Sequence, residues 1–337
     1  MGESLHPTDP QPLVDPFGRR ITYLRLSVTD RCNFRCTYCM AERMTFLPRR
    51  EVLTLEELYE IGAVFVALGV RKIRLTGGEP LVRRGLLSLA ERLGALAGLE
   101  ELALTTNGAL LAPLAEPLRR AGVASLNLSL DSLRPERFRR LTRTGELAAV
   151  LEGLEAARRA GFPRIRLNAV IQAGVNDDEV VELAEFALER GLDIAFIEEM
   201  PLGAVDSHDR RATAVPSLRL RERLAARFPL VPAADTTGGP ARYFRIPGRG
   251  ERIGFISPLS ENFCATCNRV RLTAEGRLLL CLGHEDAVDL KAVVRRHPGD
   301  RERLAAAIRA AILHKPERHH FDPGRVDVVR FMNATGG

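Results

Sequence analysis

The sequence predicts an α/β fold built from six βα units, and three observations carry that prediction. First, four segments share one pattern: an apolar-periodic helix ending in glycine, at Gly69, Gly122, Gly161 and Gly191, followed by a short β-rich run. Glycine suits the left-handed position just past a helix C-terminus, so each marks a helix-to-strand junction. The runs that follow, 72–76, 125–130, 165–171 and 193–197, read as buried parallel strands. Second, 23–28 and 101–105 add two strands of the same kind. Third, Thr54 and Glu57 form a capping box that opens the helix before Gly69. Six parallel strands suit either an open doubly wound sheet or an incomplete barrel, short of the eight strands of a closed barrel.

Both architectures place active sites beyond the carboxyl ends of the strands, where this sequence turns polar or glycine-rich every time. In chain order the ends read Thr29-Asp30-Arg31-Cys32, Thr76-Gly77-Gly78-Glu79-Pro80, Thr105-Thr106-Asn107-Gly108, Ser129-Leu130-Asp131-Ser132, Asn168-Ala169-Val170 and Glu198-Glu199-Met200. All would converge on one mouth. After Pro201 the regularity stops. Gly238-Gly239-Pro240 and Pro247-Gly248 break up 233–250, short strands are expected at 252–256, 270–273 and 278–280, and helices at 290–296 and 301–313. The division that follows is an N-terminal extension (1–20), a βα domain (21–203) and a smaller C-terminal domain (204–337).

With 337 residues, 45% apolar and 27% charged, the chain can bury a large core, which excludes a disordered tract or a small disulfide scaffold. No apolar run approaches the roughly 20 residues of a spanning helix. The first 18 residues are polar and proline-rich rather than a signal peptide, and His6 stands where a myristoylation motif wants Ser or Thr. A cytoplasmic protein without a membrane partner is expected. The net charge of +6 points to an anionic partner. With no Trp and four Tyr, stacking platforms for a nucleic acid are scarce, so a basic nucleic-acid-binding module ranks below an enzyme.

The six cysteines fall in two groups, Cys32, Cys36, Cys39 and Cys264, Cys267, Cys281. Three is odd in each, so disulfides would leave thiols over, and thiols at such short gaps more often hold a metal in a reducing cytosol. The first group supplies three thiolates from one loop. An iron-sulfur cube held this way keeps one iron open; a structural zinc with a distant fourth ligand is the alternative. In the second group His284 could complete a Cys3His zinc site.

The string Cys32-Asn33-Phe34-Arg35-Cys36-Thr37-Tyr38-Cys39, together with Gly77-Gly78-Glu79-Pro80, resembles the radical S-adenosylmethionine (SAM) enzymes. In that superfamily SAM chelates the open iron, and one electron cleaves it to methionine and a 5'-deoxyadenosyl radical. A Gly-Gly turn would let backbone approach the methionine end of SAM, and Glu79 would receive its ammonium. The segment Phe263-Cys264-Ala265-Thr266-Cys267-Asn268-Arg269-Val270-Arg271-Leu272 narrows the resemblance to the GTP 3',8-cyclases of molybdenum cofactor biosynthesis. Matching pieces run in order along the chain: Tyr23-Leu24-Arg25-Leu26-Ser27, 72–80, 105–108, 127–133, Phe196-Ile197-Glu198 and Gly336-Gly337.

The resemblance implies an incomplete (β/α)6 radical SAM barrel whose smaller C-terminal domain carries a second 4Fe-4S cluster. It implies a lyase that cyclises GTP to (8S)-3',8-cyclo-7,8-dihydroguanosine 5'-triphosphate. Carried onto this sequence, Cys32, Cys36 and Cys39 hold the SAM cluster, and Cys264, Cys267 and Cys281 hold a second cluster that meets the guanine. Tyr38, Gly78, Glu79, Ser129 and Met200 line the SAM site. Arg25, Arg74, Thr105, Arg166, Arg269, Val270 and Arg271 face GTP, and the tail Gly336-Gly337 reaches into the site with Arg269 and Arg271 as catalytic groups. The implied partners are GTP, a flavodoxin or ferredoxin as electron donor, and cyclic pyranopterin monophosphate synthase as recipient of the product, with the chain a monomer or homodimer.

Two positions depart from the family, which usually has Lys at 166 and Arg at 195, where this chain has Arg166 and Ala195. Rearranged phosphate contacts are expected. A radical SAM enzyme that modifies a peptide or an RNA is the alternative function. His314, His319 and His320 read as a surface cluster, and Glu198-Glu199 as one inward and one outward carboxylate.

Overall fold

The computed structural model describes residues 12–205, 207–234, 238–322 and 324–336. The readings at Gly2, His6 and the terminal Gly337 lie outside them. The first half alternates as the periodicity requires: β1 (Tyr23–Ser27), α1 (Leu55–Ala67), β2 (Lys72–Thr76), α2 (Leu86–Gly94), β3 (Glu101–Thr106), α3 (Ala115–Arg120), β4 (Val123–Ser129), α4 (Pro135–Thr142), α5 (Leu147–Arg159), β5 (Arg164–Ile171), α6 (Val180–Glu189) and β6 (Asp193–Glu198). The capping box at Thr54 and Glu57 is formed. Gly69, Gly122, Gly161 and Gly191 take φ of 97°, 90°, 70° and 71°, the left-handed values that let each helix stop and turn into a strand.

The second half supplies α7 (Arg210–Thr213), α8 (Ser217–Ala225), β7 (Val231–Pro232), β8 (Arg242–Arg245), β9 (Arg252–Ile256), β10 (Arg269–Leu272), β11 (Arg277–Leu279), β12 (Ala287–Asp289), α9 (Leu290–Arg296), α10 (Arg301–Ile312) and α11 (Met332–Thr335). Its strands join the first half in one sheet, ordered β12-β11-β10-β1-β2-β3-β4-β5-β6-β9-β8-β7. β10 runs parallel to β1, and β9 parallel to β6. Each covers an edge of the six-stranded core that would otherwise present unpaired N–H and C=O groups. Among the described residues the row stays open.

Within the strands the side chains alternate. Leu24 and Leu26, Ile73 and Leu75, Leu102 and Leu104, and Leu126 and Leu128 are 0–2% exposed and belong to the hydrophobic core. Between them stand Arg25, Arg74, Ala103 and Asn127, on the opposite face of the sheet. A fully packed parallel sheet would be apolar on both faces. The polar inner face marks a barrel that keeps an interior cavity.

Candidate active site

One cavity opens at the carboxyl ends of the strands. Its wall includes all three cysteines of the first group, the Gly77-Gly78-Glu79 turn, and Arg25, Arg74, Thr105, Arg166, Arg269 and Arg271. Tyr38, Ser129 and Met200 line it as well. Strand-end geometry has gathered residues spread over 247 positions of sequence.

The cysteine loop is fixed from below. Phe34 is buried and packs edge-to-face on Phe138 at 6.0 Å, and the Arg35 and Thr37 amides donate to the carbonyls of Thr142 and Leu141 at 2.9 Å each. Its thiols lie against the cavity, where the Phe34 amide donates to Cys32 Sγ at 3.3 Å. Burial pushes the Cys32 thiol up to about 11, Cys39 to about 12, and Cys36 well above its ordinary range. Protons would leave them on metal binding.

The glycine turn is pressed against the start of this loop. The Gly78 amide donates to the Thr29 carbonyl at 2.9 Å and the Glu79 amide to that of Arg31 at 2.8 Å. A Cβ on Gly77 would stand 2.5 Å from the Thr29 oxygen, and one on Gly78 2.5 Å from that of Arg31. Only glycine allows this approach. Beside it Thr76 Oγ1 is buried without a hydrogen-bond partner among the described residues, a polar atom aimed at the cleft.

Glu79 is held by the protein itself. Its side chain is buried and accepts from the Leu81 amide (3.0 Å), the Thr106 hydroxyl (2.7 Å) and the Asn107 amide (2.7 Å). It ties the glycine turn to the end of β3, and Oε2, with one donor, keeps acceptor capacity on the cavity wall. Burial raises it to about 7 against the pull of those three donors. Tyr38 donates to Asp131 Oδ2 at 2.7 Å, and Asp131 Oδ1 accepts from the Val170 amide at 2.8 Å. Burial likewise lifts Asp131 to about 6.

On the inner face the cations fall into cross-strand register. Arg271, Arg25 and Arg74 are partners across β10, β1 and β2, and one rung below stand Arg269, Tyr23 and Lys72. Like charges directly opposite one another are destabilising in a sheet. The Tyr23 hydroxyl accepts from Arg74 Nε at 2.7 Å. Burial raises the Tyr23 phenol, but the charges of Arg74, Arg25 and Lys72 outweigh it and bring it down to about 7. Burial lowers Arg25 to about 10 and takes Arg271 well below its ordinary range. Val270 lies between the two arginines of β10, so strand alternation turns its side chain away from the cavity into the core at 1% exposure. The expectation that it faces GTP is corrected for its side chain.

The two departures from the family are joined by a third residue. Asn168, Ala195, Gly254 and Tyr243 are successive partners across β5, β6, β9 and β8. A Cβ on Gly254 would stand 2.9 Å from the Tyr243 ring and 3.5 Å from Ala195 Cβ. Two small residues therefore give the ring its room. Arg166 donates from Nη1 to the Tyr243 hydroxyl at 2.6 Å and from Nε to Asn168 Oδ1 at 3.0 Å.

The C-terminal segment enters the cavity. Met332 and Asn333 line it, and the Gly336 carbonyl accepts from Arg271 Nη1 at 2.9 Å and Arg25 Nη2 at 3.4 Å. A Cβ on Gly336 would collide with Thr76.

The second cysteine group lies outside this wall, behind Arg269. Cys264 and Cys267 flank a short turn before β10, and Cys281 follows β11. Burial pushes the Cys267 thiol up, but Arg269 and Lys315 together bring it down to about 7; Cys281 is raised by burial. A Cys3His zinc site would need its four donors around one point, and among the described residues no three Cys, His, Asp or Glu are so arranged.

Five lining residues carry no role in the sequence reading, Tyr23, Lys72, Asn107, Asp131 and Asn168, and nor does Tyr243, which braces Arg166. Three of them sit in the strand-end strings. Both Glu198 and Glu199 line the cavity, so the inward-outward reading is corrected: Glu199 lies past the end of β6, where alternation no longer applies. Glu198 accepts from the Ser217, Leu259 and Ser260 amides, while Glu199 pairs with His208 at 2.8 Å and Arg210 at 2.9 Å.

Residues 26–187 match the Radical SAM superfamily, and residues 192–321 match Molybdenum Cofactor Synthesis C. The GTP 3',8-cyclase of Ectopseudomonas mendocina (strain ymp) is 61% identical over 96% of this chain and 98% of its own length. That of Pseudomonas entomophila (strain L48) is also 61% identical, over 98% and 99%. Among solved structures, Streptococcus suis SuiB superposes with a TM-score of 0.60 over 87% of this chain and 69% of its own, at 16% identity, a likeness of fold alone. No helix among the described residues is long and apolar enough to cross a membrane. With three cysteines and a glycine turn facing a row of arginines in one barrel, and 61% identity over nearly the full length, the chain belongs to the GTP 3',8-cyclases of the radical SAM superfamily.

Proposed function

We propose that this cavity is where the chain cyclises GTP to (8S)-3',8-cyclo-7,8-dihydroguanosine 5'-triphosphate, the first step of molybdenum cofactor biosynthesis. The observation that carries the reading is the rung of Arg271, Arg25 and Arg74. Three guanidiniums side by side are costly in an empty barrel and favourable around a triphosphate of about four negative charges, to which arginine donates bidentately.

When bound at the first cysteine group, a 4Fe-4S cluster with SAM would supply a 5'-deoxyadenosyl radical. Cys32, Cys36 and Cys39 would hold the cluster. Gly77, Gly78 and Thr76 offer backbone and hydroxyl to the methionine end of SAM, with Ser129, Tyr38 and Met200 around its nucleoside. Glu79 keeps the turn in place. The remaining work is positional: the inner-face arginines, Thr105 and Arg166 would hold GTP with its 3' carbon turned towards the first cysteine group and close to C8, in a space shielded from water. Gly336, Gly337, Arg269 and Arg271 act at the reacting end. In this reading residues 21–203 are the radical SAM partial barrel, residues 204–337 carry the second cluster and the Gly-Gly tail, and both supply arginines to GTP.

The second cysteine group would hold a second 4Fe-4S cluster whose open iron meets the guanine. A flavodoxin or ferredoxin would supply electrons, and cyclic pyranopterin monophosphate synthase would take the product, with the chain a monomer or homodimer.

Anaerobic reconstitution followed by SAM, a reductant and GTP tests the reading. About eight irons per chain, two cubes, are expected. Deoxyadenosine should form only when GTP is present. Zinc at the second group would sink the second cluster, and deoxyadenosine release indifferent to GTP would sink the substrate.

A further inference from the structure

Of the 49 basic residues in the chain only Lys72, Lys291 and Lys315 are lysine. Lys315 is 3% exposed, and its ammonium has three N–H groups to place. It donates to the carbonyl of Arg269 at 3.0 Å and to that of Leu280, and it faces Cys267 Sγ at 3.7 Å. One cation thus joins the start of β10, the residue after β11 and a thiol of the second group. A compact tetrahedral ammonium can donate to three acceptors converging in a small space.

The residues that follow are fastened to the same place. Arg19 donates to the carbonyls of Pro316 (2.6 Å), Glu317 (2.6 Å) and Cys264 (2.9 Å), while Asp15 holds its Nε at 2.5 Å. The turn at 315–317 and the loop bearing Cys264 and Cys267 are therefore stitched together by two buried cations. A buried ammonium whose partners are neutral carbonyls is costly unless an anion stands beside it. The thiol that it faces becomes that anion when it ligates a metal.

We propose that Lys315 is a positioning residue of the second centre: its ammonium fixes the Cys267 sulfur and offsets the negative charge that three thiolates bring to a bound iron-sulfur cube. The inference rests on reading the second group as a cluster site. A fixed positive charge and an N–H···S contact stabilise the reduced cluster over the oxidised one, so they raise its reduction potential.

The test uses the full chain with Cys32, Cys36 and Cys39 changed to Ser, reconstituted anaerobically with iron and sulfide, so that only the second centre fills. About four irons per chain are expected with Lys315 intact. A chain that takes up no iron overturns the second-cluster reading itself, and the inference falls with it. In the iron-loaded background, Lys315→Met should move the potential, followed by electron paramagnetic resonance during a redox titration, to more negative values. Lys315→Arg, which keeps the charge, should lie nearer the parent. A Met variant with the iron content and potential of the parent overturns the proposal. Should the Met variant fail to hold iron, retention by the Arg variant supports the role of the charge, and equal loss from both overturns it.

Discussion

Arg166 shows how a single side chain is recruited in this site. It is held from two sides, by Tyr243 and Asn168, and the room for Tyr243 exists because Ala195 and Gly254 are small. A hydrogen bond to a charged group is worth about 1.5–3 kcal/mol. Tyr243→Phe should therefore raise the KM for GTP roughly ten-fold with little change in kcat. An unchanged KM would show that Arg166 needs no such brace. Arg25 illustrates the opposite balance, since its like-charged neighbours strain the free protein. Arg25→Met is expected to raise the melting temperature of the ligand-free chain and to shrink the further rise that GTP produces. Both shifts can be read in one thermal series, and a lower starting temperature would contradict the strained row.

Glu79 adds a pH dependence. Burial lifts its carboxyl from an ordinary 4.5 to about 7, so the folded chain keeps a proton that the unfolded chain releases. Its contribution to stability is fully present below about 4.5 and is lost as pH rises towards 7. In denaturant titrations across that window, Glu79→Gln should flatten the decline in stability; an undiminished slope would assign the decline to other groups.

At the scale of elements, the strands and their glycine-ended helices were legible because helix period, glycine stop and β-rich run repeat with little variation. Of the elements given bounds from sequence, β2, β9 and α9 match and the others differ by one or two residues at one or both ends, while β7, β8, β12, α7, α8 and α11 carried no such signal. What could not be read was which face of each strand is polar on purpose. Arg25 between Leu24 and Leu26 has the same spacing whether the polar face is a cavity or solvent, and only the pairing of β10 with β1 shows that Arg271 and Arg25 share a rung. Tyr243 carried no signal at all, since β8 reaches the site through an antiparallel edge. Helix packing sets a further check. Gly153 in α5 lies so close to the Gly108 carbonyl that an added methyl has no room. Gly153→Ala should lower stability by about 1–3 kcal/mol through overpacking, against the small gain that alanine brings to a helix interior. A thermal melt showing stabilisation would mean that α5 can slide.

For the molecule as a whole, the matched regions 26–187 and 192–321 are two pieces of sequence but one sheet. A fragment ending at residue 203 would leave the edges of β1 and β6 bare. Such a fragment should be insoluble or aggregate, while the intact chain unfolds in one transition. A well-behaved monomeric fragment would argue that the edge strands are ornamental. The interlocking also sets a timetable for biosynthesis. Thr22 and Asn268, flanking the paired ends of β1 and β10, share a hydrogen bond across 246 residues. At roughly 5–20 residues per second a ribosome needs about 12–50 s to cover that stretch. Throughout that interval the strand that leads into the Cys32 loop has a bare flank and the roof carrying Gly336 does not yet exist. The nascent chain thus passes through a period in which its first metal-binding loop is open to whatever delivers iron and sulfide, before the finished barrel closes over it.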